Sequence, residues 1–166
     1  AIISYTSGTT GFPKGAVLTF DNLIVMARSV NAVDPKLPSD EFVSFLPLAW
    51  IGEQMVSVTI SLLVGFTINF PEDPNTVMED IREIGPHSMF APSRVWENMT
   101  STVQVKIMDT TRFKRAMYEW AMPIGYKIAD LKFQKKAVPL GLSMLHKLSY
   151  WALFRPLKDR LGLSNL

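Results

Sequence analysis

Near the start of the chain, the run Tyr5-Thr6-Ser7-Gly8-Thr9-Thr10-Gly11-Phe12-Pro13-Lys14-Gly15 combines small hydroxyls, glycines and one fixed cation. That composition suits a polyphosphate. Gly8 and Gly11 let the backbone come close to an anion and take up positive φ. The hydroxyls of Thr6, Ser7, Thr9 and Thr10, with nearby N–H groups, can donate to phosphate oxygens, and Lys14 adds a point charge. Two familiar phosphate motifs do not fit. The Walker A pattern needs glycine directly before its lysine and a hydroxyl directly after, whereas Lys14 lies between Pro13 and Gly15. The dinucleotide fingerprint G-x-G-x-x-G is absent. A Gly/Thr-rich turn joining two strands with no ligand is the other reading of the same composition.

The elements that must position this loop follow from the apolar pattern. Ala1 to Tyr5 and Gly15 to Thr19 read as two strands joined by the loop. Asp21 or Asn22 can cap a helix through Val30, before Pro35 and Pro38 break the pattern. Phe42 to Leu46 reads as a strand, Gly52 to Val64 as a helix, Phe66 to Phe70 as a strand, Asn75 to Ile84 as a short helix and Ser88 to Ala91 as one more strand. This alternation predicts an α/β fold with a largely parallel, partial sheet over residues 1–92. From Ser93 to Leu166 apolar residues fall at helical spacing, among them Phe113, Met117, Trp120, Ile124, Ile128 and Leu131, so the second half is expected to be mainly helical. Pro123 is expected inside one helix, and another, running from Leu142 through Leu153, is expected to end near Pro156.

Composition narrows the function classes. The chain has 166 residues, and 17 Lys+Arg against 15 Asp+Glu is too even a balance to call for a nucleic-acid partner. With no cysteine there is no disulfide framework and no thiolate metal site. A reducing cytoplasm is permitted. The opening residues carry neither a basic leader nor a long apolar run, so no secretion signal is expected. Met55 to Phe70 is the most apolar stretch, but serines, threonines, Gly65 and Asn69 interrupt it, and spanning a bilayer takes about 20 apolar residues. Lys132, Lys135, Lys136, Lys147, Arg155, Lys158 and Arg160, with Trp151 and Phe154 between them, allow either a solvated helix face or a peripheral contact with the inner face of an anionic membrane.

The ordered run from Tyr5 to Gly15 resembles, position by position, the signature of the adenylate-forming (AMP-binding) superfamily, which includes acyl-CoA synthetases, luciferases and peptide-synthetase adenylation domains. Phe45-Leu46-Pro47-Leu48-Ala49 is similar to that family's second core motif. Phe70-Pro71-Glu72-Asp73-Pro74, Phe90 to Glu97 and Arg160-Leu161-Gly162-Leu163 resemble its long-chain fatty acyl-CoA synthetase branch. The resemblance covers nearly the whole chain and implies part of the large N-terminal domain of such an enzyme. It implies a carboxylate attacking the α-phosphorus of ATP, loss of pyrophosphate, and capture of the acyl-adenylate by the thiol of coenzyme A. Thr6, Ser7, Gly8, Thr9, Thr10, Gly11 and Lys14 would then hold the ATP phosphates, with Lys14 in a catalytic role, since phosphoryl chemistry rests on positioning and electrostatic stabilisation. Thr6 would help to hold Mg²⁺.

Trp50 stands where many relatives carry histidine. The resemblance makes it a gate to the acyl tunnel or the nucleotide, and burial of an indole in the core is the alternative. Glu53 is expected to serve the positive end of a helix dipole, and His87 and His146 are expected to be ordinary polar or surface residues.

The family's later motifs, Tyr-Gly-x-Thr-Glu and a Thr-Gly-Asp element that grips ribose, do not occur in these 166 residues. The sequence therefore reads as a segment of a long-chain fatty acid–CoA ligase, inactive by itself, whose partners would be fatty acid, ATP and coenzyme A. A non-catalytic nucleotide-binding or membrane-docking module is a second reading, and an adenylation domain for another carboxylate a third.

Overall fold

The first two apolar runs pair as an antiparallel hairpin, β1 (Ile2–Thr6) with β2 (Lys14–Leu18), in a register that sets Thr6 opposite Lys14 and Tyr5 opposite Gly15. The computed structural model describes residues 2–6, Thr6 by its backbone, and residues 11–166. Helix α1 (Phe20–Val33) follows directly. Its cap is Thr19 and not Asp21 or Asn22. The Thr19 hydroxyl accepts from the Asn22 N–H at 3.2 Å, while Asn22 Oδ1 accepts from the Thr19 N–H at 3.0 Å, so Asn22 is the far half of a capping box.

Strands β3 (Glu41–Val43) and β4 (Thr67–Asn69) pair in parallel. The strand expected over Ser88–Ala91 is reduced to one parallel bridge between Phe42 and Ser88. Pro86 and Pro92 bracket that segment and remove ladder donors on both sides of it. Between β3 and β4 the chain is helical in three stages: α2 (Ile51–Glu53), a π-helical stretch Gln54–Ile60, and α3 (Ser61–Val64). Gly65, at φ +87°, ends it, a conformation that costs any residue with a Cβ. The helix expected over Gly52–Val64 is therefore present, but its middle is widened.

The core of this part is formed by Ala27 of α1, Phe42 of β3, Val56 and Ile60 of the π stretch, and Phe66. Phe42 and Phe66 meet with ring centroids 6.2 Å apart and tilted by 60°. Full burial of each large apolar side chain contributes roughly 1.5–3 kcal/mol, so these few residues hold α1 and the π stretch to the small sheet. Helix α4 (Val77–Ile84) adds the buried Ile81.

The chain divides into two compact units, residues 1–90 with 165–166, and residues 91–164. The second is all helix: α5 (Ser93–Met108), α6 (Arg112–Phe133), α7 (Leu140–Ser149), a π turn Tyr150–Phe154, and α8 (Arg155–Arg160). Helix α6 runs on through Pro123. Pro156 does not end the last helix as expected. The backbone stays helical from Leu140 to Arg160, and the π turn Tyr150–Phe154 widens the ladder just before the proline. Gly125 on α6 makes room for the ring of Phe154, which a Cβ there would meet at 2.8 Å. No helix among the described residues is long and apolar enough to cross a membrane.

Candidate functional site

In sequence the hydroxyl and glycine run joins β1 to β2, and Lys14 is the first residue of β2. Ser7, Gly8, Thr9 and Thr10 lie outside the described residues, as does the Thr6 side chain. Gly11 has φ +153°, outside the range that side-chain-bearing residues favour, and a Cβ there would meet nothing within 4 Å. It is the backbone conformation at Gly11 that calls for glycine. Gly15 needs its missing Cβ for a different reason. Across the hairpin, Ile3 Cγ2 would lie 2.9 Å and the Tyr5 ring 3.3 Å from a Cβ at that position. The last glycine of the run therefore serves the packing of the hairpin. Lys14, Val17 and Tyr5 are exposed, and a two-stranded hairpin is marginal by itself.

Among the described residues no group of three or more His, Asp or Glu is placed to hold a metal ion.

A second site emerges from segments that the sequence singled out only by resemblance. Ser44, Phe45, Leu46 and Leu48 form one wall of a cleft of about 230 Å³, and Phe70, Pro71, Pro74 and Val77 form the other. The Pro-Leu-Ala segment and the Phe-Pro-Glu-Asp-Pro segment are thus brought together by the parallel pairing of β3 and β4, which run into them. The Ser44 N–H donates to the Asn69 carbonyl at 2.9 Å and extends that pairing by one residue. Pro47 to Trp50 make a turn, closed by the Trp50 N–H to the Pro47 carbonyl at 2.9 Å, and Gln54 Nε2 donates to the Leu48 carbonyl at 2.6 Å.

Trp50 ends this turn and caps α2 with extended backbone. It is 51% exposed, so the alternative of an indole packed in the core does not hold. Lys14 and Trp50 stand on separate elements.

Glu53 departs most from expectation. It is completely buried, not an exposed partner of a helix dipole. Its Oε1 accepts from the Ser44 hydroxyl at 2.5 Å and from the Ser57 hydroxyl at 2.6 Å, while Oε2 is buried with no hydrogen-bond partner among the described residues. One carboxylate oxygen thus joins the end of β3, on the cleft wall, to the π-helical stretch. Such stretches often accompany functional sites. A signal was present in the sequence: Ser57 stands one helical turn after Glu53 inside an apolar run, the spacing at which two side chains share a face.

His87 is exposed but structural, since its Nδ1 accepts from the Glu41 N–H at 3.1 Å and its own N–H donates to the Glu41 carbonyl at 2.9 Å. His146 is half-buried against Phe154, with ring centroids 5.9 Å apart, and not a surface residue.

The sequence matches the family of AMP-binding enzymes over residues 1–141. It is 31% identical, over 99% of its length, to the long-chain-fatty-acid–CoA ligase ACSBG2 of Rattus norvegicus. It is 32% identical, over 74% of its length, to ACSBG1 of the same species, also a long-chain-fatty-acid–CoA ligase. These matches cover 25% and 18% of the two relatives, so the chain spans about a quarter or less of their length. Among solved structures, VinN in complex with L-aspartate superposes with a TM-score of 0.53 at 25% identity, over 64% of this chain and 27% of that one.

Proposed function

The chain belongs to the AMP-binding enzyme family, and from that premise we propose that it supplies the phosphate-gripping part of an enzyme that activates a long-chain fatty acid with ATP and passes the acyl group to coenzyme A. The observation that carries this reading is the unbroken run Tyr5 to Gly15 between two paired strands, with Gly11 at φ +153° and Lys14 at the start of the returning strand. Backbone N–H groups and hydroxyls of Thr6 to Gly11 would hold the β- and γ-phosphates, and Lys14 would offset charge as pyrophosphate departs. Mg²⁺, when bound, neutralises phosphate charge, with Thr6 as this chain's contribution. Trp50, half-exposed at the head of α2, would gate the acyl or nucleotide entrance. The apolar walls of the 44–77 cleft suit a hydrocarbon better than a charged substrate.

The test is ATP–pyrophosphate exchange by the enzyme that contains this chain, offered palmitate, an aryl acid or L-aspartate. Exchange that depends on palmitate is expected. Exchange with aspartate and not with palmitate would favour the reading suggested by the VinN complex, an adenylation domain for an amino acid.

Two further outcomes follow. Gly11→Val is expected to impair ATP use more than Ser7→Ala, because a β-branched residue opposes the backbone conformation at Gly11 whereas neighbouring hydroxyls can stand in for one another. A larger loss in Ser7→Ala would remove the backbone cradle from the reading. For residues 1–166 without ribose and adenine motifs, ordering the loop offsets much of the gain from a few phosphate hydrogen bonds, so calorimetry should give a Kd for Mg-ATP on the order of millimolar. Micromolar binding with release of pyrophosphate would show that these residues form an autonomous enzyme.

A further inference from the structure

Two adjacent residues at the entry to the π-helical stretch reach back to the same cleft wall. Glu53 Oε1 accepts from the Ser44 hydroxyl at 2.5 Å, and Gln54 Nε2 donates to the Leu48 carbonyl at 2.6 Å. Ser44 and Leu48 are the two ends of the wall that faces Phe70, Pro71, Pro74 and Val77. The wall is thus tied at both ends to one short piece of helix. That piece is itself held in place. Ser57, one turn on, donates to the same Glu53 oxygen at 2.6 Å, and Gly52 lies so close to the Phe90 ring that a Cβ would meet it at 2.7 Å. All of these residues belong to the first unit.

Packing alone would not select these ties. Glu53 is completely buried and leaves Oε2 without a hydrogen-bond partner among the described residues, whereas an apolar side chain of similar size would fill the space without that desolvation cost. What the carboxyl group adds is direction, because a buried hydrogen bond fixes one arrangement of the groups it joins. The two ties close overlapping loops, spanning nine and six residues, about the Pro47–Trp50 turn. The helix is widened to the π form at this place, as helices often are beside functional sites.

We propose that Glu53 and Gln54 are positioning residues: they set the 44–48 wall against the 70–77 wall and so govern how well the cleft takes an acyl chain. The proposal rests on reading that cleft as a hydrocarbon site. Neither residue is among those that line it, so both act through the residues they hold. The two bonds of Glu53 separate this role from support of the fold alone, since Ser44 stands on the wall and Ser57 does not.

The experiment is acyl-CoA formation from palmitate by the enzyme that contains this chain, with Ser44→Ala, Ser57→Ala, Gln54→Met and Phe70→Ala compared. Methionine keeps the length of Gln54 and has no donor. Ser44→Ala and Gln54→Met should each raise KM for palmitate about fivefold, the equivalent of one neutral hydrogen bond, with kcat and KM for ATP within about twofold of the parent. Ser57→Ala removes a like bond to the same oxygen, so it should lower Tm as much as Ser44→Ala and leave the palmitate KM unmoved. Hydrogen exchange reads the wall without substrate: the Trp50 N–H, which closes the turn, should exchange about tenfold faster in Gln54→Met. Equal KM changes in Ser44→Ala and Ser57→Ala would make Glu53 a fold residue, and unchanged exchange in Gln54→Met would release Gln54 from the wall; either overturns the proposal. Phe70→Ala alters the opposite wall directly. If it raises the palmitate KM while Ser44→Ala and Gln54→Met do not, the proposal alone is overturned. If it leaves that KM unmoved, the cleft does not take the acyl chain, and the hydrocarbon reading is overturned together with the proposal.

Discussion

Replacing Lys14 by alanine is expected to slow adenylate formation roughly ten- to a hundredfold while thermal unfolding stays where it was. On the role proposed for Lys14, the rate loss follows from removing a charge-assisted hydrogen bond worth about 1.5–3 kcal/mol to the departing phosphate. Stability is spared because Lys14 is exposed on the hairpin and contributes nothing to the core of Phe42, Ile60 and Phe66. Lys14→Arg separates charge from shape. A planar guanidinium restores the charge but not a compact ammonium, so partial rescue is expected. Pyrophosphate exchange by Lys14→Ala at the wild-type rate would remove Lys14 from the chemistry, and a large drop in Tm would make it a fold residue instead.

The hairpin was legible because a Gly/Thr run between two apolar runs has few other ways to fold, and the β3–helix–β4 order was legible from the shift between helical and strand spacing. Local chemistry was harder to read. Thr19 does not stand out as the cap because Asp21 and Asn22 are equally good capping types, and only the reciprocal bonds of Thr19 and Asn22 decide among them. Pro156 resembles a stop signal in any helical pattern, yet here the helix continues through it to Arg160, after a π turn at Tyr150–Phe154 that sequence spacing does not reveal. For the candidate site, the family was legible in the run Tyr5 to Gly15. The meeting of the 44–48 and 70–77 segments was not, because it depends on the parallel register of β3 with β4.

Glu53 carries the largest expected effect on stability. Its burial is not legible in the sequence, because a charged residue near a helix start is ordinarily solvated, and only the fold shows it closed in by Ser44 and Ser57. Glu53→Ala opens a void beside the end of β3 and strands two hydroxyls that both used the same acceptor, each costing about 1–3 kcal/mol when left unpaired and dry. Taken near the low end for each, with a share for the void, the loss is about 3 kcal/mol, which for a chain of this size lowers Tm by roughly 6–12 °C. Glu53→Gln keeps the shape and one oxygen for both serines, so its loss should be less than about half as large. The ordering of the two variants matters more than either value, because a site that needed only volume would tolerate neither better than the other. Thermal circular dichroism of the 166-residue chain measures both. A Glu53→Ala chain that melts within roughly a degree of the parent would show that the Ser44–Glu53–Ser57 link does not hold the cleft wall to the π-helical stretch.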